Sequence, residues 1–259
     1  MDRRVRIVLG LKSSAFCAVA LSLVLFTHVA ANAQLNVTTF GIQVKPMIPN
    51  SFFTSGTDNI ETDAMNVEFQ PRLGWNFGMV IRRGITNMWS FETGINMVQR
   101  KYTLHIDYAG LNEKQNLDFR YICYEVPVQG IVFVKLGENL FMNASGGFSL
   151  DIYPSNVETS NYTRVDSTMY DFTQKTWKNK WVQVALLANY GFEWRSRESG
   201  YFYFGASYHR PFNYIGITQV VVERNNVPSR ADALLRGNYL TADFRYFFNE
   251  KPERRKPKD

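Results

Sequence analysis

The chain has 259 residues, a net charge of +6 and 15% aromatic residues, among them 20 Phe and 14 Tyr. Its 29 bases and 23 acids are too evenly balanced to indicate a nucleic-acid-binding protein. Of its two cysteines, Cys17 lies in a segment that we expect to be removed, which leaves Cys123 without an internal disulfide partner.

The first 33 residues have the three parts of a secretory signal peptide. A basic start precedes an apolar run over residues 15–25, and Ala31-Asn32-Ala33 provides a small-residue cleavage site before Gln34. No later segment has the roughly 18 consecutive apolar residues of a membrane-spanning helix. We therefore expect residues 1–33 to be a signal peptide; it holds four bases and one acid, so the exported chain would carry a charge of +3.

Residues 69–82 show the clearest periodicity in the exported chain. Apolar residues from Phe69 to Ile81 alternate with polar or small residues that include Arg72 and Arg82, and Val80 is the exception. Soluble strands usually have about five or six residues, whereas tilted membrane strands need about 9 to 11. The length of this alternation favours a membrane strand.

Seven further segments alternate in the same way. They are residues 40–45, 89–100, 118–134, 140–152, 183–194, 202–209 and 240–248. The connections between the eight segments are alternately long and short. The long ones are residues 49–66, 105–117, 154–180 and 211–237, and the short ones are residues 83–87, 135–138 and 195–200.

This pattern predicts an all-β domain over residues 34–248. It is an eight-stranded antiparallel transmembrane β-barrel with long extracellular loops and short periplasmic turns, in the outer membrane of a Gram-negative bacterium. Residues 249–259 form a charged tail that we expect in the periplasm. A soluble barrel of the lipocalin kind is the alternative, because it would show the same period with the two faces exchanged.

Charged residues collect on the predicted inward face, where the lumen of an eight-stranded barrel is just wide enough for side chains. The set is Arg72, Arg82, Glu92, Arg100, Glu125, Asp151, Glu193, Asp243 and Arg245. We expect a structural network of compensated charges, because buried charges must be paired. A proton or ion path is the alternative.

Catalytic and metal-binding signals are weak. His105 and His209 are expected near the outer rim, but no nucleophile elbow, His-Glu-x-x-His motif or four-ligand set accompanies them. The sequence predicts no catalytic residues, no metal and no cofactor. Besides membrane lipid, protein partners are expected at the loops or the tail, with Tyr170, Phe172 and Trp177 of loop 154–180 as possible contacts. The alternative for loops 154–180 and 211–237 is that they extend the hairpins above the membrane and pack on each other.

Three short motifs resemble the PorT-like outer-membrane β-barrel family of Bacteroidetes. They are Phe40-Gly41-Ile42-Gln43-Val44-Lys45-Pro46 in the first strand, Ser90-Phe91-Glu92-Thr93-Gly94-Ile95 in the third, and Tyr124-Glu125-Val126-Pro127-Val128 in the fourth. The resemblance implies the barrel fold. One founding relative is needed for type IX secretion, so it also implies a secretion-related role.

The function predicted from these observations is non-enzymatic. The barrel would anchor or assist an outer-membrane complex through its loops or tail. A small-solute or ion channel and a hydrolase with rim histidines are the two alternatives.

Overall fold

A computed structural model describes residues 37–48, 60–109, 111, 113–165, 168–196 and 198–249. The predicted signal peptide, most of loop 49–66 and residues 250–259 of the predicted tail lie outside these ranges. Within them, no helix has the length and apolar character needed to cross a membrane.

Thirteen strands account for most of the described chain. They are β1 (Thr38–Ile48), β2 (Ile60–Glu61), β3 (Met65–Gly84), β4 (Trp89–Tyr108), β5 (Gln115–Lys135), β6 (Leu140–Ile152), β7 (Val157–Val165), β8 (Thr168–Lys178), β9 (Val182–Arg195), β10 (Tyr201–Pro211), β11 (Gly216–Arg224), β12 (Val227–Leu235) and β13 (Tyr239–Phe247).

Eight of these strands close into an antiparallel barrel. Their order is β1, β13, β10, β9, β6, β5, β4 and β3, and the pairing of β3 with β1 closes the ring. The eight strands correspond to the eight predicted segments, so the predicted barrel is confirmed. The short connections, residues 85–88, 136–139 and 196–200, meet at one end of the barrel, which we call the turn end. The opposite end is the loop end.

The two faces of each barrel strand differ in polarity. On β5, odd-numbered residues from Leu117 to Phe133 are buried, while their even-numbered neighbours are exposed or half-buried. The inward face of the barrel is largely polar, and the outward face carries exposed Phe40, Met79 and Phe204. A side-chain period of two in a closed ring places one set of residues in the lumen and the other towards lipid.

Strand β3 changes face near its middle, which corrects one prediction. Its pairing with β4 is irregular between Arg72 and Trp75, so odd-numbered residues are buried before this point and even-numbered residues after it. Phe69 is therefore inside and Arg72 outside, the reverse of what uninterrupted alternation predicts. The nine residues Leu73–Ile81 then span the apolar outer face, within the length that a membrane strand needs.

The predicted loops 154–180 and 211–237 are folded rather than irregular. They form the hairpins β7–β8 and β11–β12, which pair through β8 and β11 into a second sheet of order β12, β11, β8, β7. This sheet faces the parts of β3, β4 and β5 that extend beyond the apolar outer face. We call the sheet, together with those extensions, the cap.

An apolar core fills the cap and closes the loop end of the barrel. Phe172 and Val220 from the second sheet belong to the same buried cluster as Leu104 and Phe119 from the strand extensions. The cluster also includes inward-facing barrel residues at the end of the lumen. These are Met47, Val98, Cys123 and Tyr239. The cap is therefore continuous with the barrel interior and obstructs its outer mouth.

Replacing Phe172 by alanine tests whether the cap is held by this core. Because the ring is fully buried, its loss is expected to destabilise the cap by about 3–5 kcal/mol. Limited proteolysis should then cut the β7–β8 hairpin faster than in the wild-type protein. The barrel itself should stay folded, so the unheated sample should still migrate faster on a denaturing gel than the boiled sample. Met169→Ala is the control, because Met169 is exposed on the same strand. Equal resistance of the two variants would contradict the account.

Candidate functional site

A chain of ion pairs fills the lumen at the turn end. Glu92 accepts a hydrogen bond from Arg82 Nη2 at 3.0 Å and one from Arg245 Nη1 at 2.6 Å. Arg82 also pairs with Glu193, whose second oxygen lies 2.7 Å from Arg195 Nε. β3, β4, β9 and β13 supply these groups, so the network ties strands across the lumen as well as along the wall.

The network continues towards the middle of the barrel. Arg245 Nη2 donates to Asp243 Oδ2 at 2.8 Å, and Lys45 Nζ lies 3.4 Å from the same oxygen. Ser207 and Thr241 also donate hydrogen bonds to the Asp243 carboxylate. Each charge of this network thus has a partner of opposite sign, which compensates the cost of burial in a narrow lumen.

Aromatic rings pack against the guanidinium groups and occupy the remaining width. The carbon at the centre of the Arg82 guanidinium lies 3.9 Å from the centroid of Phe247, and that of Arg195 lies 4.1 Å from the centroid of Phe141. Arg245 lies over Tyr203 at 4.7 Å. A guanidinium is planar and weakly hydrated, so it stacks on rings while its edge donates to carboxylates.

A second cluster lies below the cap. His209 is fully buried, with Nε2 at 3.0 Å from Asp151 Oδ2 and 3.4 Å from Glu125 Oε1. Glu125 also lies 3.5 Å from Arg100 Nη2 and accepts a hydrogen bond from the Tyr239 hydroxyl at 2.7 Å. The Tyr239 ring stacks on His209 and belongs to the cap core, so this cluster joins the polar lumen to the apolar cap.

Charge in the described lumen is balanced without a bound ion. The cations of both clusters are Lys45, Arg82, Arg100, Arg195 and Arg245, and the anions are Glu92, Glu125, Asp151, Glu193 and Asp243. Five positive groups face five negative ones, and His209 lies between the carboxylates of Asp151 and Glu125. Side chains of the chain itself therefore compensate the lumen charges.

Glu125, Asp151 and His209 are the residues that could hold a metal ion in the described chain, since their ligand atoms lie within 4.8 Å of one another. Several of their ligand atoms already have partners, although His209 Nδ1 has no hydrogen-bond partner among the described residues. Glu125 accepts from Tyr239, Asp151 Oδ1 accepts from Ser149 at 2.7 Å, and Arg100 stands beside Glu125. A cation would have to displace these contacts next to a guanidinium, so the cluster fits an internal ion-pair network better than a metal centre.

Most of the predicted network residues do meet in the lumen. Glu92, Glu193, Asp243 and Arg245 lie in the turn-end network, and Arg100, Glu125 and Asp151 lie below the cap. The prediction for Arg72 was wrong, because the irregularity in β3 turns it to the exposed face, where it donates a long hydrogen bond to Thr103 Oγ1.

Sequence reasoning missed three members of these clusters. Lys45 lies two residues after Gln43 and Arg195 two residues after Glu193, so each shares the inward face of its strand. This spacing was the signal available for both. His209 was expected near the outer rim, but its inward parity on β10 buries it under the cap.

The predicted loop contacts occupy different positions from those expected. Tyr170 and Phe172 are buried in the cap core, so they are not free to contact a partner. Trp177 is exposed on the outer face of the second sheet. The expectation that the aromatic residues of this loop contact a partner does not hold for Tyr170 and Phe172, because both pack in the apolar core of the cap.

A family model described as "outer membrane protein beta-barrel domain" matches residues 29–217. This chain belongs to that family. Membership confirms the predicted barrel class and its place in the outer membrane of Gram-negative bacteria, while the narrower PorT-like assignment stays a prediction. Because such barrels have short periplasmic turns, the turn end faces the periplasm and the cap faces outwards.

Two outer-membrane barrels are similar to this one at low identity. OprG of Pseudomonas aeruginosa is 8% identical with a TM-score of 0.43, over 82% of this chain and 95% of its own. The outer-membrane protease OmpT of Escherichia coli is 9% identical with a TM-score of 0.29, over 82% of this chain and 94% of its own. No curated protein sequence matches this chain significantly.

The space left inside the outer-membrane barrel is small. A cavity of about 20 Å³ remains near Gln43, Gln129 and His209 in mid-lumen, and another of about 20 Å³ lies near Arg82 at the periplasmic end. Each has room for about one water molecule. Around these described residues the barrel interior is therefore closely packed.

Glu92→Gln tests the lumen network. The variant leaves Arg82 and Arg245 without their shared carboxylate, so unfolding should become easier by about 3–5 kcal/mol. The urea concentration that abolishes the fast-migrating gel band measures the effect. Arg72→Ala is the control and should change stability by less than about 1 kcal/mol, because its side chain is exposed. If the two variants unfold at the same urea concentration, the network does not stabilise the barrel.

Proposed function

We propose that this outer-membrane barrel is a non-enzymatic protein that anchors or assists an outer-membrane assembly through its cap. The observation that carries the proposal is the filled, charge-balanced lumen beneath a closed apolar core. With the interior occupied, a partner would bind on the outside of the protein, and the outer face of the cap is the surface that projects from the membrane. A secretion-related assembly, as in the resemblance to the PorT-like family, is one setting for this role.

The outermost part of the cap has features of a contact surface. Tyr162 is 71% exposed on β7, and Val227 is 67% exposed at the start of β12. Asp171 and Glu223 are paired in register with each other, and Asp171 is also paired with Tyr162. Exposed apolar side chains among charges are typical of transient protein interfaces, and here a folded sheet holds them in place.

The two alternative functions have less support. A channel would need a continuous water path, whereas the mid-lumen cavity is about 20 Å³ and the cap core covers its outer end. A rim-histidine hydrolase would need an accessible histidine beside a nucleophile. His209 is buried, and the ring nitrogens of His105 contact the amide oxygens of Asn116 and Gln70 on the outside of the barrel.

Site-specific photo-crosslinking in living cells tests the proposed surface. A photoreactive residue in place of Tyr162 is expected to give a discrete protein adduct, since this side chain points away from the cap core. The same residue in place of Met79, which is exposed on the lipid-facing wall, is the control and should give no protein adduct. Truncating the protein after Phe248 shows whether the partner binds the cap or the tail. The proposal fails if Tyr162 gives no adduct, or if the adduct disappears with the tail.

A further inference from the structure

A groove of about 470 Å³ opens on the outside of the barrel, where β9 and β10 meet the cap. Its walls come from three parts of the chain. Leu186 of β9 and Arg210 of β10 are cross-strand neighbours, and Leu234 and Arg236 lie at the end of β12. The volume is within the range of small-molecule sites, so the groove is large enough for a head group.

The groove lies at the outer boundary of the lipid-facing wall. Leu186 is one of the exposed apolar residues of that wall, and Phe212, also exposed, extends the apolar surface beyond the end of β10. On the cap side, exposed Leu234 is paired in register with Ile217, and Ile217 with Trp177. Apolar surface thus borders the groove below and above, as expected for a position at the level of outer-leaflet head groups.

Two guanidinium groups give the groove its charge. The side chains of Arg210 and Arg236 are exposed, and neither guanidinium makes an ion pair or hydrogen bond with the part of the chain that the structure describes. None of the described residues that line the groove is acidic, while Asn213 and Asn238 add side-chain amides. In the lumen, by contrast, every arginine has a carboxylate partner. The missing counter-charge in the groove is therefore one that a ligand would supply.

We propose that this groove binds the phosphate-bearing head group of an outer-leaflet lipid of the lipid A type. Arg210 and Arg236 would hold a phosphate by charge-assisted, bidentate hydrogen bonds, which arginine forms well. An acyl chain would lie along Leu186 and Phe212. A free phosphate would leave these apolar side chains uncovered, so the combination of guanidinium and apolar wall favours a lipid.

Single arginines at a membrane boundary often only extend their charged group towards water. This site differs because two arginines from separate parts of the chain meet in it. Arg210 lies next to the last residue of a barrel strand, whereas Arg236 follows a cap strand 26 positions later, yet both line one groove. A bound phosphate would bridge barrel and cap at this point. The lipid would then hold the cap at a fixed height above the membrane.

Lipid binding to the purified full chain in detergent, measured by native mass spectrometry, tests the proposal. Diphosphoryl lipid A is expected to bind the wild-type protein at one site. Arg210→Gln with Arg236→Gln should weaken binding by roughly tenfold or more, because two charge-assisted contacts are lost. Lys101→Gln with Arg120→Gln is the matched control, since these cations are cross-strand neighbours on another side of the barrel. The control should stay within about threefold of wild type.

Two further ligands separate the possible sources of the phosphate. Lipid A without its phosphates should bind the wild-type protein as weakly as intact lipid A binds the groove variant, and inorganic phosphate alone should bind weakly. The proposal is overturned if the dephosphorylated lipid binds like the intact one, if inorganic phosphate binds as tightly as lipid A, or if the groove and control variants behave alike. Faster migration of the unheated sample on a denaturing gel verifies that each variant is folded. If the double variant does not fold, lipid binding is measured on the single variant Arg236→Gln instead.

Discussion

The carboxylate of Glu92 holds the guanidinium groups of Arg82 and Arg245 inside a closed ring of strands, and much of the structure depends on this pairing. Eight strands enclose a lumen that side chains nearly fill, so every inward charge must find a partner there. The resulting network joins strands that are distant in sequence. It also compensates the lumen charges with side chains of the chain itself.

The filled barrel carries a folded cap at its outer end. The hairpins of the outer connections pack on the extended ends of β3, β4 and β5, so the part outside the membrane is a folded sheet over its own core. Residues that face outwards from this sheet are available to partners, whereas those in the core hold it to the barrel. The groove between Arg210 and Arg236 lies where the filled barrel meets the outer leaflet, and it would couple the cap to lipid as well as to the barrel.

The eight barrel strands could be predicted because a period of two, sustained over the length of a membrane strand, leaves few alternatives. The same period identified most lumen charges. It failed for Arg72, because one irregular pairing exchanges the faces of β3. Pro71 and Gly74 flank this point, and a proline or glycine inside a strand was the available signal for such an irregularity. Hairpins of loops 154–180 and 211–237 that extend above the membrane and pack on each other were one expectation, and the structure confirms it. The individual strands were not located, because polar residues such as Thr218 are buried at the base of the second sheet and obscure the alternation. A local signal did exist: Asn225 and Asn226, both with positive φ, form a two-residue hairpin turn that asparagine favours.

Single-channel recording in planar lipid bilayers tests the central claim, that the lumen is filled and closed, most directly. The wild-type protein should be inserted in folded form, verified by its migration without heating, and a known porin should establish that the bilayers report open channels. We predict that the wild-type protein gives no stable conductance steps, because ion pairs occupy the lumen and the cap core covers its outer end. Large, steady single-channel currents would contradict the account and would make the barrel interior the site of its function.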